Sequence, residues 1–355
     1  MRERRPGHGS DRVSRIHDLL VAGGGPAGLA TALHAARAGF DVVVAEPRSA
    51  PVDKACGEGL MPGAVRALRA LGLTISGRPI EGIHYVQGSR GVQAMFRHGP
   101  GLGVRRISLH AALHAAVVEA GVPVLPVRVG EVRQTATGVT EGNAGLRARW
   151  LIAADGLHSP VRRSLGLGVT TAGTPRYGLR RHYAVPPRSN CVEVHWGRRG
   201  EVYVTPLGPE LLGVALLTSE RSPFERQLDA FPALAARLPA AAAVTPVRGA
   251  GPLRQKAHTR VHGRVLLVGD AAGYIDALTG EGISLALAGA EVLVDHLRRG
   301  TPLGYEAAWR RATQRHRLLT ECLLRARRHP AMARRIVPMA ERMPRLFAAV
   351  VNALA

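Results

Sequence analysis

Cysteine is scarce. The chain has three in 355 residues, Cys56, Cys191 and Cys322. They are odd in number and share no C-x-x-C spacing, which excludes a disulfide framework and a cysteine-held zinc site and fits a reducing compartment. Aromatic residues make up only 4 %. With no zinc-finger, helix-turn-helix or RNA-recognition signature, that scarcity argues against a nucleic-acid partner despite a formal charge of +22. Lysine is nearly missing: of 48 basic residues only Lys54 and Lys256 are lysines. Beside so much Ala, Gly and Pro, this arginine bias points to a GC-rich genome before it points to function. No uncharged apolar run approaches the roughly 18 residues of a membrane span. The opening MRERRPGHGSDRVSRIH lacks the apolar stretch of a signal peptide. The expectation is a cytoplasmic protein, with residues 1–15 a loose basic tail and no metal site.

What is present is a large globular core, since 46 % of residues are hydrophobic. From His17 the pattern reads apolar strand (DLLVA), glycine turn (GGGPAG), small-residue helix, second apolar strand (FDVVVAE). Such a βαβ unit implies a parallel sheet with a right-handed crossover. ARWLIAADG and Arg264–Val268 read as further buried strands, whereas CVEVHW and EVYVTPL alternate as antiparallel strands do. The fold class is therefore α/β, with a Rossmann-like dinucleotide domain interleaved with an antiparallel-sheet domain. The first takes residues 16–75, 101–170 and 258–300; the second takes 76–100 and 171–257; residues 301–355 form a helical C-terminal region.

Three motifs carry chemistry. Gly23, Gly25 and Gly28 form G-x-G-x-x-G around Pro26 and Ala27. Gly23 permits the tight turn, Gly25 lets backbone approach a pyrophosphate, and Gly28 lets helix pack on strand. Glu46 ends the second strand, where an acid can hydrogen-bond a ribose. The second motif is ARWLIAADGLHSPVRRSLG, with Asp155-Gly156, and the third is GDAAGYIDALTGEGI, with Asp270, Gly280, Gly282 and Ile283. In this order the three resemble the FAD-binding flavoprotein monooxygenases of the para-hydroxybenzoate hydroxylase type and the geranylgeranyl reductases that share their frame. The resemblance covers roughly residues 17–310. It implies that FAD is bound and NAD(P)H is the reductant. It implies further that Glu46 holds the adenosine ribose and Arg106 lies along the phosphates or flavin. Val129 would meet the adenine, Asp155-Gly156 would shape the pyrophosphate approach, and Asp270 would accept from a ribityl or ribose hydroxyl. The Gly280–Ile283 backbone, at a helix N-terminus, would face the pyrimidine edge of the flavin, where negative charge develops.

DKACGEGLMPGAVRALRALG resembles the geranylgeranyl reductase branch and places Cys56 and Glu58 near the flavin as catalytic candidates. VYVTPLGPELLGVAL departs from that branch: Tyr203 and Pro206 stand, but Thr205 precedes the proline and no tryptophan lies between them. No paired-tryptophan motif of the halogenases is present. The leading expectation is an O2-dependent monooxygenase acting on a phenolic, quinone or polyketide-like compound. His195, and Glu193 beside it, lie on one strand face that reads either as offered to a phenol or as a solvated sheet face, the latter more so for Glu193. The alternatives are a geranylgeranyl reductase-like ene-reductase or flavin dehydrogenase acting on a prenyl or apolar chain, and a non-catalytic FAD-holding scaffold. At the C-terminus, Tyr305, Trp309, Ala312, Leu319, Cys322, Leu323 and Ala326 recur at near-helical spacing and predict a buried stripe with arginine around it. That arginine reads either as a solvated face or, with Leu346, Phe347 and Val350, as a dock for an anionic membrane or an acidic carrier protein. The second reading makes the protein peripheral to the membrane.

Overall fold

The computed structural model describes residues 15–171 and 173–355. The expected basic tail lies, apart from Arg15, outside them. The apolar run Ile16–Ala22 is the central strand of a sheet whose parallel core runs Val265–Leu267, Arg147–Ala153, Ile16–Ala22, Val42–Ala45 and Val124–Leu125. Both faces are covered. Leu19, Leu20, Val21, Leu151 and Ile152 are fully buried beneath the helices Pro26–Arg37, Arg106–Glu119 and Gly282–Arg298. That is why these strands read as unbroken apolar runs rather than alternating ones.

The second sheet has seven strands, and the register across it sets its two faces. Val194 lies opposite Tyr203, Tyr203 opposite Ala215, and Ala215 opposite Arg180. Tyr85 joins the same row from the parallel neighbour Gly82–Gln87. Residues one step along each strand therefore face the other way. On that outer face Val202, Val204, Val214 and Leu216 are buried against Phe224, Leu228, Leu234 and Leu238.

The C-terminal region is four helices: Tyr305–Arg328, Pro330–Ala333, Ile336–Arg342 and Pro344–Leu354. The buried stripe of the first differs from the expected one. It runs Tyr305, Trp309, Thr313, Thr320 and Leu324, while Ala312 and Cys322 are exposed. Thr313 can be buried because its hydroxyl donates to the Trp309 carbonyl one turn back (2.9 Å). Arg317 and Arg260 both lie over the Trp309 ring, so arginine is part of the packing as well as the surface. No helix among the described residues is long and apolar enough to cross a membrane.

His195 and Glu193 fall on the outer sheet face, contrary to the reading that offers them to a substrate. His195 Nε2 lies 2.8 Å from Glu193 Oε2, which also accepts from Arg237 (2.7 Å). Burial opposes ionisation of Glu193, but the hydrogen bonds from His195 and Arg237 prevail and bring its pKa from 4.5 to about 2. A carboxyl depressed in the folded state stabilises above its unfolded pKa and loses that stabilisation as pH falls through the folded value. The Glu193→Gln variant should melt below the parent at pH 7, and the gap should close as pH drops from 4.5 towards 2. An equal gap at pH 3 and pH 7 in thermal melts would refute this account.

Candidate functional site

The three glycines of the first motif answer three different needs. Gly23 has φ +106°, and a Cβ there would sit 2.6 Å from the Ala154 carbonyl oxygen. At Gly28 a Cβ would meet the Gly23 carbonyl at 1.9 Å, so helix and strand could not approach. Gly25 is the opposite case: nothing in the protein lies within 4 Å, and the residue lines a cavity of about 690 Å³. The helix starts there with Pro26 in its first turn. Glu46 leaves the end of strand Val42–Ala45 and accepts the Gly24 N–H (2.9 Å) and Arg48 (2.7 Å). Burial pushes its pKa up, but the Arg48 and Gly24 hydrogen bonds outweigh it, and the carboxyl lies below its usual range.

One arm of the cavity is walled by Gly23, Gly25, Pro26, Ala27, Glu46, Val129, Asp155, Gly156, Asp270, Gly280, Gly282 and Ile283. Arg106 also lines it although only 5 % exposed, and its Nη1 has no hydrogen-bond partner. Asp155 Oδ1 is likewise buried without a partner, its other oxygen accepting the Val161 N–H (3.0 Å). Burial lowers the Arg106 pKa and raises that of Asp155. Buried polar atoms left unpaired are costly, and here a donor and an acceptor both border one cavity. The N-terminus of Gly282–Arg298, the side-chain-free cradle at Gly25 and these two orphaned groups fit an extended anionic dinucleotide such as FAD. Gly28 does not line the cavity; its role is the close packing above.

The other arm is reached past residues 53–59. Glu58 is the one described non-glycine residue with positive φ (59°). Its Oε1 accepts the Arg106 N–H (2.8 Å), and its Oε2 meets His182 Nε2 (2.6 Å). The Nη1 of Arg180 lies 3.1 Å from His182 Nδ1. A guanidinium only donates, so Nδ1 accepts and Nε2 carries the hydrogen given to Glu58. Arg180 also pairs with Asp53. Cys56 borders the cavity with its sulfur accepting the Glu58 N–H (3.4 Å). Burial, then the Glu58 charge, pushes its thiol pKa up, so it stays protonated.

Beyond this segment the inner sheet face supplies Ile83, Tyr85, Val192, Val194, Tyr203, Thr205, Ala215 and Leu217. Tyr203 donates to the Leu278 carbonyl (2.6 Å) and Thr205 to the Gly57 carbonyl (2.7 Å). Val351 and Leu354 of the last helix complete the wall, and Phe347 packs on Tyr85 at 4.7 Å between ring centroids. Strand alternation in CVEVHW contained the signal for Val192 and Val194, though not which face was inward. Nothing local marks Val351 or Leu354 as cavity residues.

Gly25→Val should leave the fold intact, since no protein atom is near, yet remove the bound flavin by filling its space. Asp270→Ala deletes a carboxylate that borders the cavity beside Lys54 Nζ (3.4 Å) and should weaken FAD binding by about 1.5–3 kcal/mol. Flavin absorbance per purified chain, with circular dichroism as the fold control, checks both. Undiminished flavin in Gly25→Val would refute the site.

Comparison with known proteins agrees with this geometry. A family described as an FAD binding domain matches residues 17–91 and 109–197. The menaquinone reductase of Mycolicibacterium smegmatis is 30 % identical over 84 % of this chain and 80 % of its own. Digeranylgeranylglycerophospholipid reductase 1 of Methanothermobacter thermautotrophicus is 28 % identical over 77 % and 74 %. The para-nitrophenol 4-monooxygenase of a Pseudomonas species is 30 % identical over 80 % and 78 %. Among solved structures, the halogenase PltM in complex with phloroglucinol and FAD superposes with a TM-score of 0.75 at 18 % identity, covering 95 % of this chain and 86 % of that one, a likeness of fold. The chain thus belongs to the FAD-dependent oxidoreductases of the para-hydroxybenzoate hydroxylase and geranylgeranyl reductase superfamily.

Proposed function

We propose that this oxidoreductase reduces a carbon–carbon double bond in the prenyl chain of a lipid, with NAD(P)H as the source of electrons. The observation that carries the reading is the inner sheet wall. Aliphatic side chains, Ile83, Val192, Val194, Ala215 and Leu217, dominate it, and the hydroxyls of Tyr203 and Thr205 are committed to the Leu278 and Gly57 carbonyls, so the wall meets a substrate with mostly apolar surface. A long hydrocarbon chain suits such a wall, which offers it apolar surface along most of its length. Two relatives above are named for lipids with prenyl chains, which supports the same reading.

A flavin held here and reduced by NAD(P)H would supply the hydride. The protein contributes the apolar walls that exclude water and align the chain, together with a proton at Cys56. Saturating the double bond needs a hydride on one carbon and a proton on the other. We assign that proton to the Cys56 thiol, which is protonated and borders the cavity, and which would regain one from solvent. Tyr85 and Tyr274 also line the cavity, and their hydroxyls have no hydrogen bond to another described residue; they can receive a polar head group at the end of the chain.

Oxygen insertion into a quinone or phenol is the second reading, favoured by the resemblance to para-nitrophenol 4-monooxygenase. An anaerobic experiment separates them. Flavin reduced by NAD(P)H should be reoxidised by a prenylated quinone without O2, the product gaining two hydrogens in its side chain by mass spectrometry. Cys56→Ala should slow that step about a hundredfold or more while leaving flavin reduction by NAD(P)H unchanged. A strict need for O2 and an added oxygen atom in the product would install the hydroxylase instead.

A further inference from the structure

The last three helices form a cap with two unlike sides. Its inner side packs against the cavity: Val337, Phe347 and Val351 are buried, and Val351 and Leu354 line the apolar arm. The sequence suggested Phe347 as an outward apolar contact; the structure turns it inward onto Tyr85. The outward side carries Met332, Met339, Met343 and Leu346, each 43–55 % exposed. Interspersed with them are Arg334, Arg335, Arg342 and Arg345, all exposed and without an ion pair among the described residues. The acid in this stretch, Glu341, is taken by Arg90 (2.9 Å).

We infer that this outer face seats on a lipid bilayer bearing anionic phospholipid headgroups. Long, unbranched methionines beside arginines suit a headgroup boundary: the apolar tips enter the acyl region while the guanidinium groups reach the phosphates. The surplus of positive charge is complementary to an anionic leaflet. The last of these helices, which carries Leu346 outward, walls the cavity with Val351 and Leu354, so a seated cap brings the cavity towards the phase in which a prenyl lipid is dissolved. The inference rests on the lipid-reductase reading for its purpose; its geometry, and its test, do not depend on turnover.

The test is co-sedimentation of the flavin-containing protein with vesicles. Phosphatidylcholine vesicles containing phosphatidylglycerol should carry the protein down at low salt, pure phosphatidylcholine vesicles should not, and added salt should release it. Because the whole chain is basic, the deciding arm is apolar. Met339→Glu with Leu346→Glu, both on the surface, should lower partition about tenfold or more with bound flavin and melting temperature unchanged. Arg334→Ala with Arg335→Ala should lower it about thirtyfold. Failure to sediment with anionic vesicles at low salt overturns the inference, as does parental binding by both double variants. Binding to an acidic carrier protein in preference to vesicles overturns it as well. If vesicles bind as expected but no prenyl chain is reduced, the lipid-reductase reading falls and the docking surface stands.

Discussion

The buried carboxylate of Glu58 is the point on which the rest of the structure turns. One oxygen takes the backbone N–H of Arg106, at the start of a helix packed on the parallel sheet; the other takes the imidazole of His182, on a strand of the antiparallel sheet. Two separately wound layers are thereby held at one side chain. Such a group is costly to bury unless it is fully bonded, and here both oxygens are used. Its backbone sits in the left-handed region, which swings the preceding Cys56-Gly57 past the cavity. Arg180, bonded to His182 and paired with Asp53, fixes the tautomer that donates to Glu58 and ties the same segment down a second time.

That junction explains why the cavity has two chemically different arms. On the parallel-sheet side, backbone turns and orphaned polar groups dominate, because a Rossmann crossover ends each strand at a helix N-terminus and leaves N–H groups facing the crevice. On the antiparallel side, alternation gives a face of mostly aliphatic and aromatic side chains, with the hydroxyls of Tyr203 and Thr205 bonded to backbone carbonyls. Backbone turns and charged side chains line one part of the cavity and mostly apolar side chains another, and residues 54–59 line it as well.

Much of the dinucleotide arm was legible in the chain itself. Gly23, Gly25, Gly28 and Glu46 stand at spacings dictated by a strand–turn–helix–strand unit, and each requirement is local: a positive φ, a close approach, an open cradle, an acid at a strand end. The apolar arm was far less so. His195 and Glu193 could be read as facing a substrate or as an outer face; they lie outside, where Glu193 meets His195 and Arg237, because period-two alternation shows that two faces exist without showing which is inward. The C-terminal stripe held at Tyr305 and Trp309 and departed beyond them, where Ala312 and Cys322 are exposed. Thr313 and Thr320, which the apolar pattern passed over, are buried, since one bonds back to its own helix and the other meets Thr279 (3.1 Å) across the interface.

By itself the sequence determined that this is an α/β protein with a βαβ dinucleotide unit and interleaved antiparallel strands, since apolar runs and glycine spacings act within a few residues of one another. Only the tertiary structure decided that His182 belongs with Glu58, that Val351 and Leu354 wall the cavity, and that Phe347 looks inward while Leu346 looks out. Those outcomes depend on register and packing between segments far apart in the chain. A helix can present either side to its neighbour with the same local energy, and the neighbour chooses the side.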